Sequence, residues 1–349
     1  MPSLIAVASG FPEHVYSQQE LSAALREVWE EQGLDVTIFD RVQKNVAVES
    51  RHLTLPLERY RALSFEQANQ AWQSEALRLG ERILNQLLEH SGLPASEISL
   101  LATTTVTGLS VPSLEARLMN RIAFSPRTKR LPLFGLGCLA GTAGVARLHD
   151  YLLGQPKEAA ILLSVELCSL TLQLQDLSMA NLISSGLFGD GAAAVLMVGD
   201  QHPLASSSPR TRASRSLFFP DSEDVMGWKI TNQGLQIVLG PGVPEYARRI
   251  RPTLEAFLQE HSLRVAEVDF WLTHPGGPKV IQALEQTLEL GEGALDHVRD
   301  HLRRYGNLSS TSVLLLLEEA LQANWSGRQG VMLSMGPAFS AEMLLLQGA

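Results

Sequence analysis

Two rhythms of apolar and polar positions alternate along this chain. Short, nearly continuous apolar runs predict buried strands, and stretches with a helical period between them predict amphipathic helices. SLIAVASGF, from Ser3, reads as a strand. It is followed by the helical QQELSAALREVWEEQG and by a longer helix from about Phe65 to Leu88. EISLLATTTV then reads as a strand, LEARLMNRIA as a helix, LPLFGLG as a strand, and Ala140 to Leu153 as a helix. AAILLSVEL and AAAVLMVG are further apolar strands. Runs without polar alternation mark strands covered on both faces, so the pattern predicts α/β architecture with a mostly parallel sheet between helices.

The second half repeats the grammar of the first. HSGLPASEISLLATTT, from His90, has an echo in HSLRVAEVDFWLTH, from His261. Further on, GCLAGTAGVARLHDYLLG with its strand AAILLSVEL is echoed by GNLSSTSVLLLLEEALQAN with its strand GVMLSMG. This predicts one duplication of an α/β lobe rather than a short-period solenoid. Between Gln201 and Arg215 the chain becomes rich in Ser, Pro and Arg and loses its apolar period, which predicts a surface connection. The lobes are accordingly expected at residues 1–205 and 206–349, with Cys138 and Asn307 in equivalent turns at helix starts, meeting at a shared seam.

Composition narrows the classes. The 349 residues are 45% hydrophobic and 19% charged, enough for two fused lobes. The 37 acidic against 28 basic residues, net −9, have no long basic runs, which argues against a nucleic-acid partner. The apolar run Val313 to Leu317 ends at Glu318 and Glu319. A membrane span needs about 20 apolar residues, far more than this run offers. The start MPSLIAVASGFPEH has no legible secretory signal, so the cytoplasm is expected. Two cysteines, Cys138 and Cys168, are too few for a disulfide framework or a four-thiolate zinc site.

Three residues carry candidate chemistry. Cys138, in FGLGCLAGTAG, follows an apolar strand and opens a Gly- and Ala-rich helix, whose free N–H groups and positive dipole favour a thiolate. A buried structural cysteine is the competing reading. His274, in FWLTHPGGPKV, ends a buried strand in a rigid turn and is suitably held for acid–base work; a histidine bonding a loop carbonyl would look the same. Asn307, in YGNLSSTS, precedes a helix, where a plain N-cap is common. Together, a nucleophile, a base and an amide donor to a developing oxyanion make a usable constellation.

At these stretches the chain resembles the thiolase-fold condensing enzymes, and within them the type III polyketide synthases, the chalcone-synthase-like group. GLGCLAGTAG, SGLFGDGAAAVL, THPGGPKV, GNLSS and SMGPAFSAE carry the resemblance in the family's order over essentially the whole chain. Ketoacyl synthase III shares the Cys-His-Asn set, but Phe188, Ser309 and the Gly336–Pro337 loop look more like the polyketide branch.

The resemblance implies a five-layered αβαβα fold and an acyltransferase. Cys138 would take an acyl group from a coenzyme A thioester, His274 would pair with its thiolate, and His274 with Asn307 would stabilise the enolate left when malonyl-CoA loses carbon dioxide. No metal or organic cofactor is implied, since the coenzyme A thioesters are substrates. Phe188 corresponds to a gatekeeper aromatic, and Ile237 stands where the family has a second one. Cys168 and Thr171 would line the cavity wall, where a small thiol could open a tunnel for a long acyl chain. Gly276, Ser309, Gly336 and Pro337 would shape the substrate site, and Lys44 and Arg51 lie roughly where coenzyme A phosphates bind. The implied product is an alkylpyrone or alkylresorcinol from a medium- or long-chain starter. Naphthalene- or chalcone-type products, a single ketoacyl-synthase condensation on a carrier protein, and an inactive acyl-binding scaffold are the alternatives. The family usually forms homodimers, with Val111 at the position that crosses to the partner.

Overall fold

The computed structural model describes residues 1–205, 209–240 and 242–348. Nine strands form one mixed sheet assembled from two similar halves. In the first half, Ile98–Thr104 lies parallel to Lys129–Leu133 and to Ala159–Leu167; Ala159–Leu167 is antiparallel to Asp190–Val198, and Asp190–Val198 to Ser3–Gly10. In the second half, Phe270–Thr273 is parallel to Gln329–Gly336, which is antiparallel to Ser340–Gln347, itself antiparallel to Arg210–Phe218. The order parallel, antiparallel, antiparallel therefore recurs, as expected for a duplicated lobe. The halves meet in the sheet where Ser3 faces Arg210.

The expected mostly parallel sheet is corrected to a mixed one. Asp190–Val198 is buried at every position although antiparallel to both neighbours. Continuous apolar character reports coverage of both faces and carries no information on strand direction. Part of the expected surface connection also proves to be structure: Arg210–Phe218 is a strand whose Arg- and Ser-rich sequence hides it. The expected lobe boundary falls beside Ser206–Ser208, which lie outside the described residues.

Two helices, Ala140–Gly154 and Ser312–Ala320, lie back to back between the half-sheets. Their contact is so close that a Cβ on Gly141 would stand 2.6 Å from Val313 Cγ1. A helix sandwiched this way must be apolar all round, and Val313 to Leu317 are each at most 4% exposed. Burying each of those side chains contributes roughly 1.5–3 kcal/mol. Outer helices, including Phe65–Ser91 on one side and Arg251–Glu260 on the other, complete the five layers. Phe65–Ser91 starts at a Ser64 capping box and stops at Gly92 in the left-handed conformation, the start and stop signals expected of a helix set by its own sequence. Among the described residues no helix is long and apolar enough to cross a membrane.

Candidate active site

The two central helices start side by side, and each is preceded by a single tight turn: Gly137–Leu139 before one and Ser309–Thr311 before the other. These turns bring together residues 171 positions apart, with Cys138 Sγ 3.6 Å from Ser309 Oγ. Gly137 takes φ +51°, and a Cβ there would stand 2.7 Å from Pro337 Cδ. The turn therefore needs a residue without a side chain. Ser309 takes φ +52°, a conformation rare outside glycine.

Asn307 is tied down on both sides. Its N–H donates to the Leu187 carbonyl at 2.7 Å, and its carbonyl accepts from the Gly189 N–H at 3.1 Å. Its side-chain oxygen accepts the Ser309 N–H at 2.8 Å, which leaves the amide N–H groups as donors for a ligand. His274 follows the strand Phe270–Thr273; its N–H donates to Leu333 at 2.9 Å, and Gly276 N–H closes the turn on the His274 carbonyl. His274 is 3% exposed.

Cys138, His274, Asn307 and Ser309 line one cavity of about 690 Å³, together with Gly276, Pro337, Phe188 and Ile237. Gly336 is not in the lining: it packs beneath Leu136, where a Cβ would stand 2.5 Å from that residue's carbonyl oxygen, so its place in the fold is close packing rather than substrate contact.

Burial opposes both charged forms of the Cys–His pair. It pushes the Cys138 thiol up to about 12, with the buried Glu166 carboxylate acting in the same direction and the Ser309 hydroxyl against it. It pushes the His274 imidazole down to about 3. Cys138 keeps some exposure because it faces the cavity, yet its thiol is surrounded by protein, and the helix start alone does not give the thiolate expected from sequence. The arrangement suits transfer of the thiol proton to His274 as the sulfur attacks.

Phe188, Trp228 and Ile237 line both the large cavity and a smaller inner pocket of about 50 Å³. Trp228 and Ile237 face each other across the hairpin Met226–Thr231 and Gly234–Leu239, and the Trp228 ring centroid is 6.4 Å from that of Phe188. The expected second gatekeeper position is thus occupied by a pair, Ile237 beside an indole that the sequence reading missed. Cys168 and Thr171 lie on the inner pocket and not on the cavity that holds Cys138. That space holds a few waters at ~10–15 Å³ each, not an alkyl chain.

The expected phosphate ligands need correction. Arg51 is 4% exposed and donates to the Ser185 and Phe188 carbonyls at 2.7 and 2.8 Å, which fixes the backbone at Phe188. Lys44 is exposed but stands outside the cavity lining. The basic residues on the cavity wall are Arg41 and Lys279. Arg41 shares a face of the helix Val36–Asn45 with Val42 and Asn45, and Lys279 lies at the start of Pro278–Leu288.

Glu166 was also missed. It is fully buried within Ala159–Leu167, accepting from Ser310 Oγ at 2.5 Å, Val106 N–H at 3.0 Å and Thr107 Oγ1 at 3.1 Å. A carboxylate inside an otherwise apolar strand was the available signal.

A duplicated αβαβα sandwich whose two central helix starts and one strand end deliver cysteine, asparagine and histidine to a single cavity defines a thiolase-like condensing enzyme. Residues 1–201 match the family model of the N-terminal domain of chalcone and stilbene synthases, and residues 211–349 that of the C-terminal domain. A 1,3,6,8-tetrahydroxynaphthalene synthase of Streptomyces peucetius is 44% identical over 350 residues, covering 99% of this chain and 93% of the relative. A phloroglucinol synthase of Pseudomonas fluorescens is 28% identical over 336 residues, covering 95% of each. The crystal structure of the tetrahydroxynaphthalene synthase of Streptomyces coelicolor, a bacterial type III polyketide synthase, superposes with a TM-score of 0.93 at 30% identity, over 99% of this chain and 100% of that one. The chain belongs to the chalcone and stilbene synthase family and is a type III polyketide synthase, an acyltransferase. The single-condensation and inactive-scaffold alternatives are set aside with that membership.

Proposed function

We propose that this enzyme builds an aromatic polyketide of the polyhydroxynaphthalene type from malonyl-CoA, with Cys138 as the acyl carrier, His274 as its base and Asn307 as a donor to the enolate oxygen. The observation that carries this reading is the placement of those three side chains on one cavity, with Phe188, Trp228 and Ile237 standing between it and a separate pocket of only about 50 Å³. A ten-carbon skeleton oxygenated at alternate carbons is what five two-carbon units provide, and no bulky starter has to be housed. The 44% identity to a tetrahydroxynaphthalene synthase supports the same product class.

The Cys138 thiol passes its proton to His274 as sulfur attacks a malonyl thioester; coenzyme A leaves as its thiolate, to be protonated by water, and His274 keeps the proton. A second malonyl thioester then loses carbon dioxide. The resulting enolate oxygen takes hydrogen bonds from the Asn307 amide and the protonated His274, donors held in place before the charge appears. Phe188 and Trp228 present apolar surface to the malonyl carboxylate, and exclusion of water from that anion favours its loss as neutral carbon dioxide. The carbanion attacks the acyl–Cys138 carbonyl and expels the Cys138 sulfur, which takes its proton back from His274. The chain is two carbons longer and returns to Cys138 for the next round. The first malonyl unit also loses its carboxyl as carbon dioxide, which leaves five two-carbon units. Decarboxylation itself supplies the carbanion, so we propose that no metal or organic cofactor takes part. Arg41 and Lys279, on the cavity wall, are suited to the coenzyme A phosphates. Val111 is an apolar side chain 98% exposed, which supports a homodimer in which a second copy covers it.

A second reading, an alkylpyrone or alkylresorcinol from a fatty acyl starter, is favoured by the apolar wall of the larger cavity, including Met179, Ile183, Leu187 and Leu239. Incubation with malonyl-CoA alone, and with acetyl- to long-chain acyl-CoA starters, separates the two by product mass. The proposal expects a ten-carbon aromatic product from malonyl-CoA alone. Products formed only with a fatty acyl starter would overturn it in favour of the second reading.

A further inference from the structure

The helix Asp296–Tyr305, which delivers Asn307, carries a histidine that the reaction above leaves unused. His301 is 1% exposed, and neither of its ring nitrogens has a hydrogen-bond partner among the described residues. Its place is fixed from both sides. One turn earlier, His297 Nε2 bonds the Trp271 carbonyl at 2.9 Å, which locks the helix against the strand Phe270–Thr273. One turn later, Tyr305 stacks on Phe11, and the His301 ring tilts on Tyr305 at 5.3 Å. The helix therefore runs beside the strand that ends at His274, and His301 lies near enough to His274 for a charge on one to be felt at the other. At that strand end, His274 Nδ1 and Thr273 Oγ1 are likewise buried without a partner among the described residues.

Buried polar groups in native proteins are almost always paired, directly or across an ordered water. We infer that His301 is a positioning residue for His274: its neutral imidazole accepts the Nδ1 proton of His274, directly or across one buried water. This deepens the reading of His274 as the base for Cys138 and rests on it. With Nδ1 holding a proton, Nε2 is the unprotonated nitrogen. The thiol proton moves to Nε2 as sulfur attacks, and in the imidazolium Nδ1–H continues to donate to His301. The device does for an uncharged partner what a carboxylate does in triads: it selects one tautomer and steadies the cation. The charged and titratable groups around His301 are His274, Arg304, Asp300 and His297. Burial and the neighbouring cations hold His301 neutral at working pH, so it acts as acceptor rather than as a second charge.

Three variants and one spectrum test this. In the parent enzyme, nitrogen-15 histidine spectra assigned with His274→Gln should show His274 as the Nδ1–H tautomer; the Nε2–H tautomer in the resting enzyme would overturn the inference whether or not His301→Leu folds. His301→Leu should lower kcat for malonyl-CoA decarboxylation by about 10- to 100-fold with KM unchanged. It should also move the pH profile of Cys138 alkylation by iodoacetamide to higher pH. His301→Gln, which keeps an acceptor, should restore most of both. A folded His301→Leu enzyme with parental kcat and alkylation profile would sink the inference. Should His274→Gln itself leave the alkylation profile unmoved, the base assignment fails instead; a shift in His274→Gln but not in His301→Leu removes only the role of His301.

Discussion

Replacing His274 by Gln isolates how much of the reactivity of Cys138 is due to its partner. Burial takes the Cys138 thiol from an ordinary 9 to about 12, and the Glu166 carboxylate adds to the same effect. At pH 7 a thiol at 12 is ionised in about one molecule in 10⁵, against about one in 10² at 9, so burial alone suppresses the nucleophile by about 1000-fold. In the parent, His274 takes the thiol proton as sulfur attacks, so free thiolate need not accumulate; in His274→Gln no second imidazole or carboxylate among the described residues lines the cavity to replace it. Alkylation by iodoacetamide from pH 5 to 11, followed by peptide mass, reads the difference. Cys168 is a useful control because it is 4% exposed and burial also holds its thiol well above 9. The variant's midpoint should lie above 9, towards 12, and its rate at pH 7 should fall by a factor approaching 1000. A variant that alkylates at pH 7 as fast as the parent would refute the argument that His274 is what makes the buried sulfur reactive.

Asn307→Ala should lower malonyl-CoA decarboxylation by about 100-fold in kcat with little change in KM, since the amide donor acts only once the enolate forms; steady-state release of carbon dioxide measures it. Trp228→Ala should join the inner pocket to the main cavity and move the ratio of kcat/KM for hexanoyl- over acetyl-CoA starters upward by about tenfold, read from competing products. Changing both Arg41 and Lys279 to Ala should raise KM for malonyl-CoA by about three- to tenfold at low salt and by less at high salt, with kcat unchanged.

The duplicated architecture was legible because burial leaves a direct mark on sequence: strands and helices inside five layers are apolar, and their order repeats. Strand direction left no such mark, and Arg210–Phe218 escaped because its Arg and Ser residues mimic a loop. Cys138, His274 and Asn307 stood out through the turns that hold them, which need glycine, proline or an Asx-type bond at fixed places. Trp228 was invisible because its role depends on a hairpin partner, Ile237, and on Phe188 from a distant helix end. Arg51 was misjudged because a basic residue in a polar stretch looks exposed, whereas its guanidinium satisfies two carbonyls. His301 left a faint mark: it shares the helical face of Val298, Leu302 and Tyr305, where an exposed polar residue would not fall.

The claim on which the rest stands is that the growing chain is carried on Cys138. Brief incubation with malonyl-CoA, acid quench and peptide mass mapping tests it without assuming any product. The account predicts a series of acyl adducts differing by two-carbon ketide units, all on the peptide containing Cys138 and absent from Cys138→Ala. Adducts on Cys168, or full product formation by Cys138→Ala, would contradict it.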